Sequence, residues 1–184
     1  MTDVTRTGSV SEALAEARAL LRADFPRNPF PIQRVTLTIW RLGQCLNGRP
    51  GLAAFAARRV VQVADVIWTR GIIGAELPTQ VVAGPGLQLA HGGRGVILHY
   101  YTTRIGDRAS IYHQVTIGVR DDRSAATLGD GVFIGAGAKI LGPIHVADGT
   151  RVGANAVLTK DTEGHCTYTG VPAVRVGEPR VIEH

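Results

Sequence analysis

Aliphatic residues recur every six positions through the second half of the chain. LGDGVF begins at Leu128, IGAGAK at Ile134, ILGPIH at Ile140, VADGTR at Val146, VGANAV at Val152 and LTKDTE at Leu158. Upstream, IGDRAS at Ile105, IYHQVT at Ile111 and then Ile117 keep the same step, and Leu77, Ala83 and Leu89 also fall six apart. A period of six matches neither the 3.6-residue turn of a helix nor the two-residue alternation of a strand. It matches a coil that turns a corner every six residues, with the aliphatic residue pointing inward on each flat face and small residues taking the corners. Three faces make an 18-residue triangular coil. Stacked coils make a parallel β-helix, in which each level buries its faces only against its neighbours. The spacing predicts four coils: 77–94 followed by an insertion, 105–122, 128–145 and 146–163. Two segments break the period, AHGGRGVILHYYTTR at 90–104 and the charged GVRDDRSAAT at 118–127. Interruptions of a rigid repeat are where function concentrates.

The first part of the chain has a helical period instead. SVSEALAEARALLRADF places Leu14, Ala17, Leu20 and Leu21 at helical spacing, with Ser9 or Ser11 available as N-cap. Pro26, Pro29 and Pro31 end that helix. A second helix is predicted from about Ile32 to Leu46 and a third from about Leu52 to Ile72, separated by the turn NGRPG. The reading is therefore a mainly β chain: a helical region over 1–73 followed by a hexad-repeat domain with a C-terminal tail over 74–184.

Composition agrees with this division. Of 23 glycines, four precede residue 71 and the rest lie at or after it. Charge is uneven as well. The stretch 25–75 holds seven arginines (27, 34, 41, 49, 58, 59, 70) against the single acid Asp65. Such an excess means either a solvated face with intersubunit salt bridges or an anionic partner, and peripheral membrane contact through these helices is one form of the latter. Arg58, Arg59 and Asp65 argue against insertion across a bilayer. No recognition-helix motif or aromatic–basic platform points to nucleic acid. Cys45 and Cys166 form no disulfide framework or zinc spacing, and the N-terminus shows no basic-then-apolar leader; a cytoplasmic setting is the expectation.

The candidate chemistry lies in the histidines. His184 is terminal, His165 falls in a turn and His145 in a regular coil, which leaves His91, His99 and His113. His91 sits in a break of the repeat, directly before two glycines. A hydroxyl that acts as a nucleophile near neutral pH needs a base to take its proton, and an oxyanion formed on the way needs N–H donors. Histidine and Gly-rich backbone suit these roles. Lys139, Lys160 and Arg175 are cations suited to phosphates. The three histidines stand 8 and 14 apart with no H-x4-H spacing, which disfavours a zinc hydratase on the same scaffold. A non-catalytic scaffold is disfavoured by the intact HGG break, the polar loop and the TGVPA tail.

The hexads, with IGAGAKILG at 134–142, VTIG at 115–118 and TGVPAVRVG at 169–177, resemble the hexapeptide-repeat acyltransferases. Within these the chain is most similar to bacterial serine O-acetyltransferases and the related exopolysaccharide O-acetyltransferases, over about residues 74–180. The resemblance implies a left-handed parallel β-helix, a homotrimer, and acetyl-CoA as co-substrate, bound between subunits without a metal. It implies that His91 is the catalytic base and that Glu76, fifteen residues earlier where the family has Asp, orients it. It places Ala136, Gly137, Ala154 and the segment 170–175 near the cofactor, with Lys139, Lys160 and Arg175 as the cations. His113 looks like the exopolysaccharide branch and is an acceptor-binding candidate, with His99. Serine acetyltransferases hold the substrate carboxylate with an Arg–His pair where this chain has Ser124 and Ala125; Arg123 stands next to them and is the candidate substitute. That departure suits a saccharide hydroxyl at least as well as serine.

Overall fold

Ser9 opens the first helix. In a computed structural model describing residues 8–99, 103–120 and 124–179, its hydroxyl accepts from the Glu12 amide at 3.3 Å and the Glu12 carboxylate accepts from the Ser9 amide at 2.9 Å. This reciprocal cap starts α1 (Val10–Asp24). Helix α2 (Pro31–Leu46) begins on a proline, whose missing N–H no helix start requires, and Gln33 Oε1 caps the Phe30 amide at 3.0 Å. Helix α3 (Leu52–Ala64) continues into wider π-helical turns over Asp65–Ile72. The third predicted helix thus exists over its length but loosens after Ala64.

Beyond the helices the chain is a left-handed parallel β-helix. Its strands are β1 (Val82–Ala83), β2 (Gln88–Leu89), β3 (Ile97–Leu98), β4 (Arg104–Ile105), β5 (Ser110–Ile111), β6 (Thr116–Gly118), β7 (Thr127–Leu128), β8 (Phe133–Ile134), β9 (Lys139–Leu141), β10 (His145–Val146), β11 (Arg151–Val152) and β12 (Val157–Leu158). They form three parallel sheets, β1-β4-β7-β10, β2-β5-β8-β11 and β3-β6-β9-β12. The second sheet is extended by β13 (Thr167–Thr169) and the antiparallel β14 (Val174–Val176). Residues from the three sheets fill the interior in columns: Ala83, Ile105, Leu128 and Val146; Leu89, Ile111, Ile134 and Val152; Leu98, Ile117, Ile140 and Leu158. All are buried. At one corner Asp130 accepts the Asp107 amide and Asp148 accepts the Asp130 amide, each at 2.8 Å, so the turns are stitched from level to level.

The first coil differs from the sequence expectation in one respect. Its third inward residue is Leu98, not Leu77. Leu77 is buried, but it follows Glu76, which bridges to Ile97 above the first complete level. The insertion therefore lies inside this coil rather than after it.

The helices close the open end of the solenoid. A first coil has unpaired backbone groups on its outer edge, and buried ones must find partners. Asp24 accepts the Leu87 amide at 2.9 Å; Asn28 accepts the Leu89 amide and donates to the Leu87 carbonyl. Gln33 donates to Leu89 O and Gln44 to Val81 O. Arg41, fully buried, donates to Ala83 O and Gly84 O while pairing with fully buried Asp24 at 2.8 Å. Arg27 donates to Gly86 O, Arg108 O and Ser110 Oγ. Burial, and then the neighbouring Arg108, lower the Arg27 pKa from its ordinary value, while Asp24 pulls it the other way. Arg49 is buried against Glu12 and Glu16. Part of the arginine excess over 25–75 is therefore structural, spent on carbonyls and carboxylates of the same chain rather than on a solvated face or a partner. Cys45 and Cys166 are both buried.

Candidate active site

The site lies at the corner between the second and third sheets. Leu89 pairs with Ile111, Ile111 with Ile134, and Ile134 with Val152. Two residues after each of these stand His91, His113, Ala136 and Ala154. Four residues that the sequence marks separately thus occupy one column of turns.

The two histidines touch. Their ring centroids lie 4.9 Å apart with planes at 86°, an edge-to-face arrangement. The His91 ring also meets Tyr112 edge-on at 6.4 Å. The turn carrying His91 is longer than those stacked on it: Leu89 to Ile97 spans eight residues where Ile111 to Thr116 spans five. The three extra residues fold tightly, because His91, Gly92 and Gly93 all take left-handed backbone angles, with φ of 56°, 74° and 76°. Arg108, Gln114, Asn155 and His165 take the same left-handed angles at other corners of the solenoid, so what sets the His91 turn apart is its length. Gly92 is required for a second reason, since a Cβ there would come within 3.0 Å of Ile32. The start of α2 therefore rests on the HGG turn.

Around the histidines opens a cavity of about 640 Å³ lined by Phe30, Ile32, His91, Arg94, Gly95, His113 and Gln114. His91 is exposed to it. His113 Nδ1 is buried and has no hydrogen-bond partner among the described residues. An unpaired buried nitrogen is costly, and this one sits directly behind the cavity wall. The corner below is held firmly: Gln114 N–H donates to Arg94 O at 2.8 Å, Gly137 N–H donates to His113 O at 3.0 Å, and Lys139 Nζ donates to Gln114 O at 2.8 Å. Phe30, Ile32, Arg94 and Gln114 were not singled out from sequence. Phe30 ends the proline-rich break between helices and Ile32 lies in the first turn of α2, and only packing brings this helix start over the solenoid.

The other expected site residues are distributed as follows. Glu76 is exposed and lines a different cavity, of about 470 Å³, with Trp40, Arg58, Asp65 and Arg70 among its walls. Among the described residues no hydrogen bond or ion pair joins Glu76 to His91. His99 follows β3, with its amide on Ile117 O, outside the His91 cavity. Arg123 lies outside the described residues, and Ala125, two residues on, is buried. Lys139 commits one N–H to Gln114, Lys160 is exposed, and Arg175 pairs with Glu163 at 2.7 Å and more loosely with Glu178 at 3.6 Å. Gly135 and Gly137 are demanded by the next coil: a Cβ on Gly135 would lie 2.7 Å from Ala154 N, and one on Gly137 would collide with the Asn155 side chain. Among the described residues no group of three or more His, Cys, Asp or Glu is placed to hold a metal ion.

Comparison with known proteins decides the family. Residues 125–160 match the family model for bacterial transferase hexapeptide (six repeats). The serine acetyltransferase of Helicobacter pylori is 39% identical over 147 residues, covering 78% of this chain and 81% of that protein. This chain belongs to the serine acetyltransferase family. The serine acetyltransferase of Mycobacterium tuberculosis is 36% identical over 65% of this chain and 53% of that one. Among solved structures, a serine O-acetyltransferase from Brucella melitensis superposes with a TM-score of 0.75 at 26% identity, over 93% of this chain and 71% of that chain. The Brucella abortus serine acetyltransferase in complex with coenzyme A gives 0.74 at 25% identity, over 94% and 70%. The soybean enzyme complexed with serine gives 0.71 at 27% identity, over 90% and 70%.

Proposed function

We propose that this protein is an acetyl-CoA-dependent O-acetyltransferase of the serine type in which His91 is the general base. The observation that carries the reading is the His91–His113 contact at an open cavity, in a chain of this family. The neutral His91 imidazole takes the proton of the acceptor hydroxyl as its oxygen attacks the thioester carbonyl. The tetrahedral oxyanion collapses, the C–S bond breaks, and the proton leaves His91 with the CoA thiolate as free thiol. Acetyl-CoA lies along the later coils of the same corner, past Ala136, Gly137 and Ala154, with Lys139, Lys160 and Arg175 in reach of its phosphates. The enzyme works as a homotrimer.

The acceptor is serine, with a saccharide hydroxyl as the second reading. The second is favoured by buried Ala125 in the region where the family's resemblance calls for a carboxylate-binding pair, and by the apolar wall of Phe30 and Ile32. The test follows release of free thiol from acetyl-CoA with L-serine and, in parallel, with sugar nucleotides and oligosaccharides. Acceptor-dependent release with L-serine supports the first reading; release with saccharides alone selects the second; release with neither overturns the activity. Light scattering checks the trimer, at about three times 19.5 kDa.

A further inference from the structure

The turn that carries His91 also carries a cation that proton transfer leaves unused. Arg94 closes this turn, three residues after His91, and its carbonyl accepts the Gln114 amide at 2.8 Å. Its backbone is therefore tied to the corner that holds both histidines. Gly92 and Gly93, in left-handed backbone, curl the chain so that the residues on either side of them line one cavity. Arg94 is exposed and has no hydrogen bond or ion pair among the described residues. No carboxylate among the described residues lines the cavity either. By contrast, Arg27, Arg41 and Arg49 bond carbonyls or carboxylates of their own chain.

The cavity is a place a ligand must enter, in the assembled enzyme as in one chain. The reading of His91 as the base, on which this inference rests, requires an acceptor hydroxyl to reach His91 in the trimer, and Arg94 lines the same space. An anion that enters beside His91 belongs to the acceptor rather than to CoA. With the thioester carbonyl at His91, the pantetheine arm holds the CoA phosphates its own length away. A guanidinium offers a fixed fork of N–H donors that fits a carboxylate or a phosphate, and with no carboxylate beside it the charge is left for the ligand. We infer that Arg94 is a specificity-determining residue that holds the anionic group of the acceptor, a carboxylate or phosphate on the same small molecule as the reacting hydroxyl.

The test titrates the full-length protein, with CoA present, by ligand-observed NMR. It uses pairs that differ by one anionic group: L-serine and L-serinamide, D-glycerate and glycerol, glucose 6-phosphate and glucose. The parent should bind the anionic member of at least one pair about 10-fold more tightly than its counterpart. Preference in the first two pairs makes the anion a carboxylate; preference in the third makes it a phosphate. Arg94→Gln should erase the preference, Arg94→Lys should keep part of it, and Arg123→Gln should keep it. The solution mass and CoA affinity of Arg94→Gln should match the parent. Four outcomes overturn the inference. They are no preference in the parent, undiminished preference in Arg94→Gln, a fall in its solution mass, which assigns Arg94 to a contact between subunits, and a loss of CoA affinity as large as the loss for the anion. Thiol release by the parent is read separately. A preference that depends on Arg94 without any acceptor-dependent release keeps Arg94 as the anion contact and overturns the acetyl-transfer reading instead.

Discussion

His91 and His113 meet edge to face, 4.9 Å between ring centroids, because Leu89 and Ile111 pair in register two residues before them. The contact puts two histidines, one exposed and one with an unpaired buried nitrogen, on the same cavity. If His91 is the base, His91→Ala should lower kcat by about 10²–10⁴-fold, with CoA affinity near that of the parent. His113→Ala should raise acceptor KM with kcat largely kept. Steady-state kinetics on both variants separates the roles. Loss of kcat in His113→Ala together with retention in His91→Ala would move the base one coil along.

Lys139 bonds the carbonyl of Gln114, a residue in left-handed backbone at φ 59° on the cavity wall. Removing that ammonium with Lys139→Met releases the corner that carries His113. The expected outcome is a raised acceptor KM together with weaker CoA binding, read by kinetics and by calorimetry with CoA. A variant whose only defect is weak CoA binding would make Lys139 a phosphate contact first.

Arg41 and Asp24 form a fully buried ion pair that also satisfies Ala83 O, Gly84 O and the Leu87 amide. Arg41→Leu leaves a carboxylate buried without its partner and two carbonyls without donors. The expected loss is about 3–5 kcal/mol of stability, measured from the shift in urea midpoint. A loss under about 1 kcal/mol would mean that water or a rearranged helix replaces the guanidinium.

Gly135 faces the backbone of the next coil, where an added Cβ would lie 2.7 Å from Ala154 N. Gly135→Ala should force the coils apart and destabilise by about 1–3 kcal/mol. Thermal unfolding of the variant checks it, and an unchanged Tm would show that the stack yields without strain.

Sequence alone determined the repeat and its inward column. A six-residue coil must bury its aliphatic residue whatever its neighbours are, so Ile105, Ile111, Ile117, Leu128, Ile134, Ile140, Val146, Val152 and Leu158 were legible before any contact was known, and all are buried. The three helices were equally legible, because caps, prolines and helical spacing are local. His91 stood out because it interrupts the period. Tertiary structure decided what depends on one level lying over another. Only the strand register stacks His91, His113, Ala136 and Ala154 in one column, and only the packing of α2 on the HGG turn brings Phe30 and Ile32 to the cavity. Arg27 and Arg41 turn inward for the same kind of reason. The first coil leaves carbonyls unpaired on its outer edge, and a composition count cannot say which arginines lie within reach of them.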